Sequence, residues 1–255
     1  MSAAKQLVLV VGATGSIGRY AAREALRQGH RVRALVRNTA RGASLPEQAE
    51  RVVGDLTRPD TLAAAVNGVD AIVFTHGSTT READVRDVDY AGVANVLHAL
   101  HGRRVRIALM TAVGTTRAGF PYAAWKRRGE KLVRASGNDY TIVRPGWFDY
   151  NDADQRRIVM RQGDTNQAGT PADGVIARDE IARVLIDSLG ADAANRKTLE
   201  LAAETGPEQH DLTPVFNALR ADEAGSLDGV ADGNIVPLSS EPARFQDDLR
   251  RIAAN

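Results

Sequence analysis

Tyr122 and Lys126 are the two side chains of this sequence best suited to acid–base chemistry. They stand four residues apart in a segment with helical periodicity, so their side chains share one face of a helix. Reduction of a carbonyl by hydride leaves an alkoxide, which needs a proton donor such as a tyrosine hydroxyl. A nearby ammonium favours the phenolate and eases proton exchange near neutral pH. The alternative is a half-exposed tyrosine beside Pro121, followed by a solvated cationic stretch at residues 126–128.

A glycine-rich loop at residues 12–18 lies between a predicted strand and a predicted helix. The first glycine allows a tight turn, the second lets the backbone approach a pyrophosphate, and the third lets helix and strand pack closely. The start of the helix then offers free N–H groups and the positive end of its dipole to the anion. The alternative is a glycine turn that binds nothing. We expect dinucleotide binding by Gly12, Thr14, Gly15, Ser16, Ile17 and Gly18.

The end of the second predicted strand indicates which dinucleotide is bound. A carboxylate at this place accepts a hydrogen bond from the ribose hydroxyl of NAD(H), whereas a cation favours the 2′-phosphate of NADP(H). Residues 29–46 contain no Asp or Glu, but they include Arg37 and Arg41. A guanidinium suits a phosphate, so NADP(H) is predicted in preference to NAD(H). The alternative is a pair of solvated surface arginines.

Short apolar segments alternate with segments of helical periodicity, and these elements must position the candidate cofactor-binding and catalytic residues. Short apolar runs at 7–11, 31–36, 51–53, 71–74, 106–110 and 140–143 read as strands covered on both faces. Helices are predicted at 16–28, at 87–101, at 122–135, and from a Thr57–Asp60 capping box to Val66. This alternation predicts an α/β fold with a doubly wound, mainly parallel Rossmann sheet.

The alternation loosens after Pro145. Strands are predicted at 158–160 and 198–201, and helices at 178–189 and 241–252. Because no clear second core follows, we expect one NAD(P)-binding domain over residues 1–255. Its cofactor-binding core covers about 1–148, and a small substrate-side lid with C-terminal elements covers about 149–255.

Several motifs together resemble one enzyme superfamily. They are GATGSIG at 12–18, VRN at 36–38, GDLT at 54–57, YAAWK at 122–126 and DYTIVRPG at 139–146. Over residues 7 to about 202 the chain resembles the atypical short-chain dehydrogenase/reductase superfamily, in its NmrA-like, NAD(P)H-binding branch.

The resemblance implies further cofactor contacts. Asp55 and Leu56 would lie beside the adenine, although Asp55 could instead order its own turn. The loop at residues 75–78, with His76 and Gly77, would contact the ribose. Lys126 would bind the nicotinamide ribose.

The resemblance also implies a catalytic group around Tyr122. Thr111 is the hydroxyl nearest to the place of the family's serine, with Thr115 and Thr116 as alternatives. The family's serine is replaced here, and its interval to Tyr122 differs. Trp147 and Phe148 either line a substrate or nicotinamide pocket or serve as packing residues.

Composition narrows the classes of partner. A net charge of +1 does not suggest nucleic acid or an anionic membrane, and the absence of cysteine excludes disulfides and thiolate chemistry. The five histidines lack metal-ligand spacing, so no metal is predicted. We expect a soluble, cytoplasmic protein whose partner is a small-molecule substrate; the sequence does not indicate an oligomeric state.

The sequence predicts an NADP(H)-dependent oxidoreductase that acts on a small carbonyl, quinone or related substrate, with Tyr122 as proton donor or acceptor. The alternatives are a non-catalytic NADP(H)-sensing regulator, as some NmrA-like proteins are, and a sugar-nucleotide epimerase or dehydratase. Neither a nucleophile elbow nor a phosphate-binding P-loop occurs, which argues against hydrolases and kinases.

Overall fold

A long, mostly parallel sheet forms the centre of the computed structural model, which describes residues 5–78 and 80–254. The strands are β1 (Leu7–Val11), β2 (Arg31–Val36), β3 (Glu50–Val53), β4 (Ala71–Phe74), β5 (Arg106–Met110), β6 (Asp139–Pro145), β7 (Trp147–Phe148), β8 (Arg157–Arg161), β9 (Val175–Ile176) and β10 (Lys197–Glu204). Eight of them form one sheet in the order β3-β2-β1-β4-β5-β6-β10-β8, in which only β8 is antiparallel to its neighbour. Strands β7 and β9 pair separately.

Helices cover both faces of the large sheet. They are α1 (Gly18–Arg27), α2 (Ala63–Val66), α3 (Glu82–Asp84), α4 (Ala91–Ala99), α5 (Pro121–Ala135), α6 (Arg178–Gly190), α7 (Thr213–Asn217) and α8 (Ala243–Ala253), and a π-helical turn (Val85–Tyr90) joins α3 to α4. Within the described ranges, no helix is long and apolar enough to span a bilayer.

Two hydrophobic clusters, one on each side of the sheet, explain why the strands are apolar throughout. In β1, Val8 and Val10 contribute to the cluster that contains α1 and α6, whereas Leu7 and Leu9 face the cluster of α4, α5 and α8. Successive strand residues point to opposite faces, so a strand covered on both sides has no polar face. The predicted α/β, doubly wound parallel sheet is confirmed.

Most predicted element bounds agree with the structure. The strands at 7–11, 31–36, 71–74 and 106–110 have the predicted ends, and the other strands and α5 differ by a few residues. The helix predicted at 87–101 begins at Glu82, five residues before the predicted start at Asp87.

The predicted Thr57–Asp60 capping box is wrong. The Thr57 hydroxyl donates to Asp55 Oδ1 at 2.8 Å, and Asp60 pairs with Arg58. A short 3₁₀ turn (Pro59–Thr61) precedes α2, which is only four residues long. The carboxylate of Asp55 competes for the threonine that was expected to cap the helix.

The sheet order places a crevice between β1 and β4. From β1 the chain proceeds to β2 and β3 on one side, and from β4 to β5 and β6 on the other. Val11 is the register partner of Phe74, so the loops that follow these two residues diverge above the same edge. In open α/β sheets ligands bind at this reversal of strand order, outside the carboxyl ends of the strands.

Candidate functional site

The glycine loop is held in close contact with the loop after β4. Gly12 has a φ of +85°, and a Cβ atom at this position would lie 2.6 Å from His76 N. A Cβ at Gly18 would lie 2.1 Å from Gly12 O, so helix α1 could not pack against the turn. Gly15 N donates to Gly12 O at 2.8 Å and closes the turn. The first and third glycines are therefore required by packing, as the motif predicts.

The N-terminus of α1 is open to an anion. Ile17 precedes the helix without a side-chain cap, and the first turn contains no acidic residue. Gly15 and Ser16 are exposed, and Thr14 is half-buried. The N-terminal N–H groups and the helix dipole therefore face a position that no carboxylate of the first turn neutralises, and this geometry fits a dinucleotide pyrophosphate.

Arg37 and Asp55 lie where adenosine recognition is expected. The Arg37 side chain is exposed directly after β2, and Arg41 is exposed in the next turn. Asp55 Oδ1 accepts hydrogen bonds from Thr57 N at 2.9 Å and from the Thr57 hydroxyl, and these bonds lower the pKa of Asp55, with a smaller contribution from the charge of Arg37. This carboxylate orders its own turn, which is the alternative that the sequence left open.

Leu56 and Gly77 complete this end of the crevice. The Leu56 carbonyl accepts from Asn95 Nδ2 at 2.7 Å, and its side chain packs partly against the core. Gly77 is exposed, and among residues 5–78 and 80–254 a Cβ there would meet no atom within 4 Å. The loop after β4 therefore has room for a ligand next to the glycine turn.

Tyr122 lies on the wall of a cleft at the carboxyl ends of β5 and β6. The cleft has a volume of about 390 Å³. Tyr122 is half-buried, and its ring meets Phe120 edge-on at 6.1 Å. Trp147 and Phe148 line the same cleft, and Phe148 also packs against the core, so for Phe148 both alternatives hold. The remaining lining residues are Ala112, Val113, Gly114, Arg117, Pro145, Gly146, Tyr150, Gln167, Gly169, Asp173 and Arg178.

Lys126 forms an ion pair that the sequence did not reveal. Its Nζ lies 2.6 Å from Asp89 Oδ2, and the Asp89 carboxylate is buried. His76 Nε2 lies 3.0 Å from the Asp89 carbonyl oxygen, and burial lowers the pKa of His76. A Cβ at Gly92 would lie 2.7 Å from His76 Nε2, so Gly92 makes room for the imidazole. An acid within the apolar helical run at residues 88–97 was the available signal for Asp89.

Thr111 is not placed in the cleft. Its hydroxyl donates to Glu130 Oε1 at 2.7 Å in the core. Of the two alternatives, Thr115 donates to the Ala112 carbonyl, and Thr116 donates to Asp164 Oδ2 at 2.9 Å. The structure therefore brings Tyr122 and Lys126 onto one helix near the crevice, but each of the three hydroxyls donates to a protein acceptor.

A buried ion network lies behind the cleft, and the sequence did not indicate it. Arg144, immediately before Pro145, donates to Glu130 and Asp232 at 2.6–3.0 Å and lies 3.3 Å from Glu200. Burial raises the pKa of Glu200 to about 7. Burial also opposes ionisation of Asp232, but the hydrogen bonds from Arg144 outweigh it and lower that pKa to about 2. In the described part of the chain, no group of three or more His, Asp or Glu side chains is arranged to hold a metal ion.

Comparison with known proteins supports the interpretation of this crevice as a dinucleotide site. A family model described as NAD(P)H-binding matches residues 12–192. The chain belongs to the NAD(P)H-binding family. The match includes the glycine loop, Tyr122 and Lys126, so the NAD(P)H-binding part of the resemblance is confirmed.

Individual relatives differ in length and description. TIC 62, a chloroplastic protein of Oryza sativa subsp. japonica, is 31% identical, and the alignment covers 78% of this chain but 46% of that protein. The chain thus spans less than half the length of this relative. The uncharacterised sugar epimerase YhfK of Bacillus subtilis is 31% identical over 84% of this chain and 98% of its own length. A Bacillus halodurans structure described as a candidate NAD-dependent epimerase/dehydratase superposes with a TM-score of 0.71 at 26% identity, over 84% of this chain and all of that one.

Proposed function

We propose that this protein is an NADP(H)-dependent oxidoreductase that transfers hydride to or from a small carbonyl, quinone or related substrate. The observation that carries the proposal is the position of Tyr122 in a cleft along the same sheet edge as the glycine loop. The glycine loop would hold the cofactor at this edge, and the cleft would hold the substrate. Tyr122 then offers a proton at the place where a substrate oxygen would need one.

The chain's own residues supply binding and proton transfer. The bound cofactor supplies or accepts hydride. In the reductive direction the Tyr122 hydroxyl gives its proton to the substrate oxygen, and in the oxidative direction the phenolate takes it back. Lys126 places a positive charge one helical turn from Tyr122, and Asp89 fixes the ammonium. The part of this charge that Asp89 does not neutralise stabilises the phenolate until a proton from solvent restores the hydroxyl.

The preference for NADP(H) rests on the charges after β2. Arg37 and Arg41 are exposed there, and residues 29–46 include no carboxylate that could accept from a ribose hydroxyl. A guanidinium presents several N–H donors to a phosphate and remains charged at every physiological pH. The 2′-phosphate of NADP(H) therefore fits this end of the crevice better than the free hydroxyl of NAD(H).

Consumption of NADPH against a panel of carbonyls and quinones tests the reaction. Tyr122→Phe removes the proton donor but keeps the ring against Phe120, so we expect at least about a 100-fold loss in kcat with NADPH affinity retained. Equal rates in the two proteins would remove Tyr122 from the mechanism. NADPH binding by both proteins, followed by fluorescence, is the control for folding.

A non-catalytic NADP(H)-sensing protein is the second candidate. The contacts of Thr111 with Glu130 and of Lys126 with Asp89 favour it, because both polar groups already have partners within the protein. Such a protein would bind NADPH without consuming it. Turnover of any metabolite at roughly 1 per second or faster would exclude this role.

An epimerase or dehydratase is a third candidate, and it is suggested by the descriptions of the two Bacillus relatives. In that reaction the cofactor would be oxidised and restored within one cycle, so it would stay bound during purification. The cytoplasmic location also stays a prediction, since the TIC 62 relative is chloroplastic.

A further inference from the structure

Arg117 stands in the wall of the cleft next to Tyr122. Its guanidinium carbon lies 4.1 Å from the centre of the Phe120 ring, which in turn meets the Tyr122 ring at 6.1 Å. The three side chains therefore form a continuous row from a cation to a phenol. Arg117 and Tyr122 both line the cleft, so a ligand in it lies near both.

Arg117 differs from Arg178, the other cation of the cleft, because no carboxylate of the described residues pairs with it. Arg178 pairs with Asp149, and Asp173 accepts from Ala168 N at 2.6 Å and Gly169 N at 2.7 Å. Over residues 5–78 and 80–254, no carboxylate lies within ion-pair distance of Arg117, and its guanidinium donates to no protein acceptor. The Arg117 guanidinium instead lies over the Phe120 ring.

The surroundings strengthen the attraction of Arg117 for an anion. Arg117 is half-buried, and the cleft that it lines also contains the apolar and aromatic side chains of Val113, Trp147 and Phe148, besides the polar Gln167, Asp173 and Arg178. A charge beside low-dielectric walls acts more strongly than one in open water. The contact with the Phe120 ring restricts the Arg117 side chain, so less side-chain entropy is lost on binding.

We propose that Arg117 binds an anionic group of the substrate, so that the substrate class is a carbonyl or quinone compound bearing a carboxylate or a phosphate. The substrate part of this inference rests on the proposed oxidoreductase function, whereas the anion site does not require turnover. The anionic group anchors on the guanidinium, and the reacting oxygen lies towards Tyr122.

Binding of small aromatic probes tests the anion site without any reaction. Benzoate is compared with benzamide, and phenyl phosphate with phenol, by ligand-observed NMR titration of the protein saturated with NADP⁺. One charge-assisted contact should favour each anion over its neutral partner by about 10-fold to 100-fold. The Arg117→Gln protein should lose that preference and the Arg117→Lys protein should keep part of it. Arg31→Gln, which changes an exposed arginine at the amino end of β2, should keep all of it.

The possible outcomes test the anion site at Arg117 and the oxidoreductase function separately. Preference for either anion that depends on Arg117 supports the site, and the stronger of the two probes identifies carboxylate or phosphate as the group. Equal binding of charged and neutral probes to the wild-type protein overturns it, as does an unchanged preference in Arg117→Gln. If Arg117→Gln does not fold, the wild-type comparison and Arg117→Lys decide. Anion binding through Arg117 without reduction of any carbonyl would leave the site standing and remove the oxidoreductase function.

Discussion

Arg37 extends into solvent from the carboxyl end of β2, and its neighbours explain how it could select a cofactor. It lies close enough to Asp55 to contribute to the lowered pKa of that carboxyl, but Asp55 Oδ1 is already bonded to Thr57. The guanidinium thus remains available to an incoming phosphate. This makes Arg37 the residue at which cofactor preference can be tested.

Reversing the charge at Arg37 should reverse the preference. In Arg37→Glu the carboxylate repels the 2′-phosphate and can accept from a ribose hydroxyl, so NADPH should bind about 10-fold to 100-fold more weakly while NADH binding is unchanged or stronger. Isothermal titration with both nucleotides measures this. Arg31→Glu, at the opposite end of the same strand, is the control, and an equal effect of the two substitutions would show that only net charge matters.

The candidate site was only partly accessible from sequence. Tyr122, Lys126 and the glycine loop could be named because each belongs to a local pattern with fixed spacing. Asp89 stands out in sequence only as an acid in an apolar run, because its partner Lys126 is 37 residues away and the contact depends on how α5 packs against the π-helical turn. The hydrogen bond from Thr111 to Glu130 could not be predicted for the same reason.

At the scale of elements, the strands were predictable because a parallel strand buried on both faces is an uninterrupted apolar run. The two-residue strands β7 and β9 were missed, since such short segments carry no periodicity. The early start of the helical run at Glu82 was missed as well, because its first turn is polar and exposed. In each case tertiary contact decides the element's bounds, and local sequence does not encode that contact.

Strand β10 carries a glutamate whose burial should appear in the pH dependence of stability. Glu200 has a pKa of about 7 in the folded protein against 4.5 for the unperturbed group. The folded state therefore keeps a proton that the unfolded chain releases, and ionisation destabilises the fold increasingly from about pH 4.5 to about pH 7 and by a constant amount above.

Glu200→Gln removes this ionisation. Because Arg144 keeps Glu130 and Asp232, the variant should be more stable than wild type by roughly 2 kcal/mol at about pH 8, with the gain vanishing towards about pH 5. Urea unfolding at several pH values measures the difference. Glu204→Gln, a half-buried position at the end of the same strand, should show no such trend, and a gain for Glu200→Gln that is constant with pH would contradict the assignment.

At the scale of the whole molecule, buried ion pairs join the C-terminal segment to the helix that carries Tyr122. Asp222 and Asp228 contact Arg134 and Arg127 of α5, and Glu241 contacts Lys131. Since these residues are distant in sequence, their pairing could not be predicted. The expected single domain stays a prediction, and the ion pairs give a way to test it.

Asp232 of the C-terminal segment forms a further buried pair, with Arg144 of β6, and breaking it should weaken the entire protein and not only its C-terminal part. Asp232→Asn removes one of the carboxylates that balance the buried charge of Arg144, so we expect the free energy of unfolding to fall by about 3 kcal/mol. The protein should still unfold in one transition. Far-UV circular dichroism and tryptophan fluorescence should give the same midpoint. Asp247→Asn, on the exposed face of α8, should have little effect. Two separate transitions would indicate a C-terminal unit that unfolds by itself.

The most direct test of the account is the distance between the Tyr122 hydroxyl oxygen and nicotinamide C4 in a crystal structure with bound NADP⁺. We expect a separation that one carbonyl group can bridge, with its carbon about 3–3.5 Å from C4 and its oxygen about 3 Å from the hydroxyl. A nicotinamide ring that lies outside the cleft, more than about 10 Å from Tyr122, would contradict the proposed reaction. One carbonyl group could then not contact nicotinamide C4 and the Tyr122 hydroxyl at the same time.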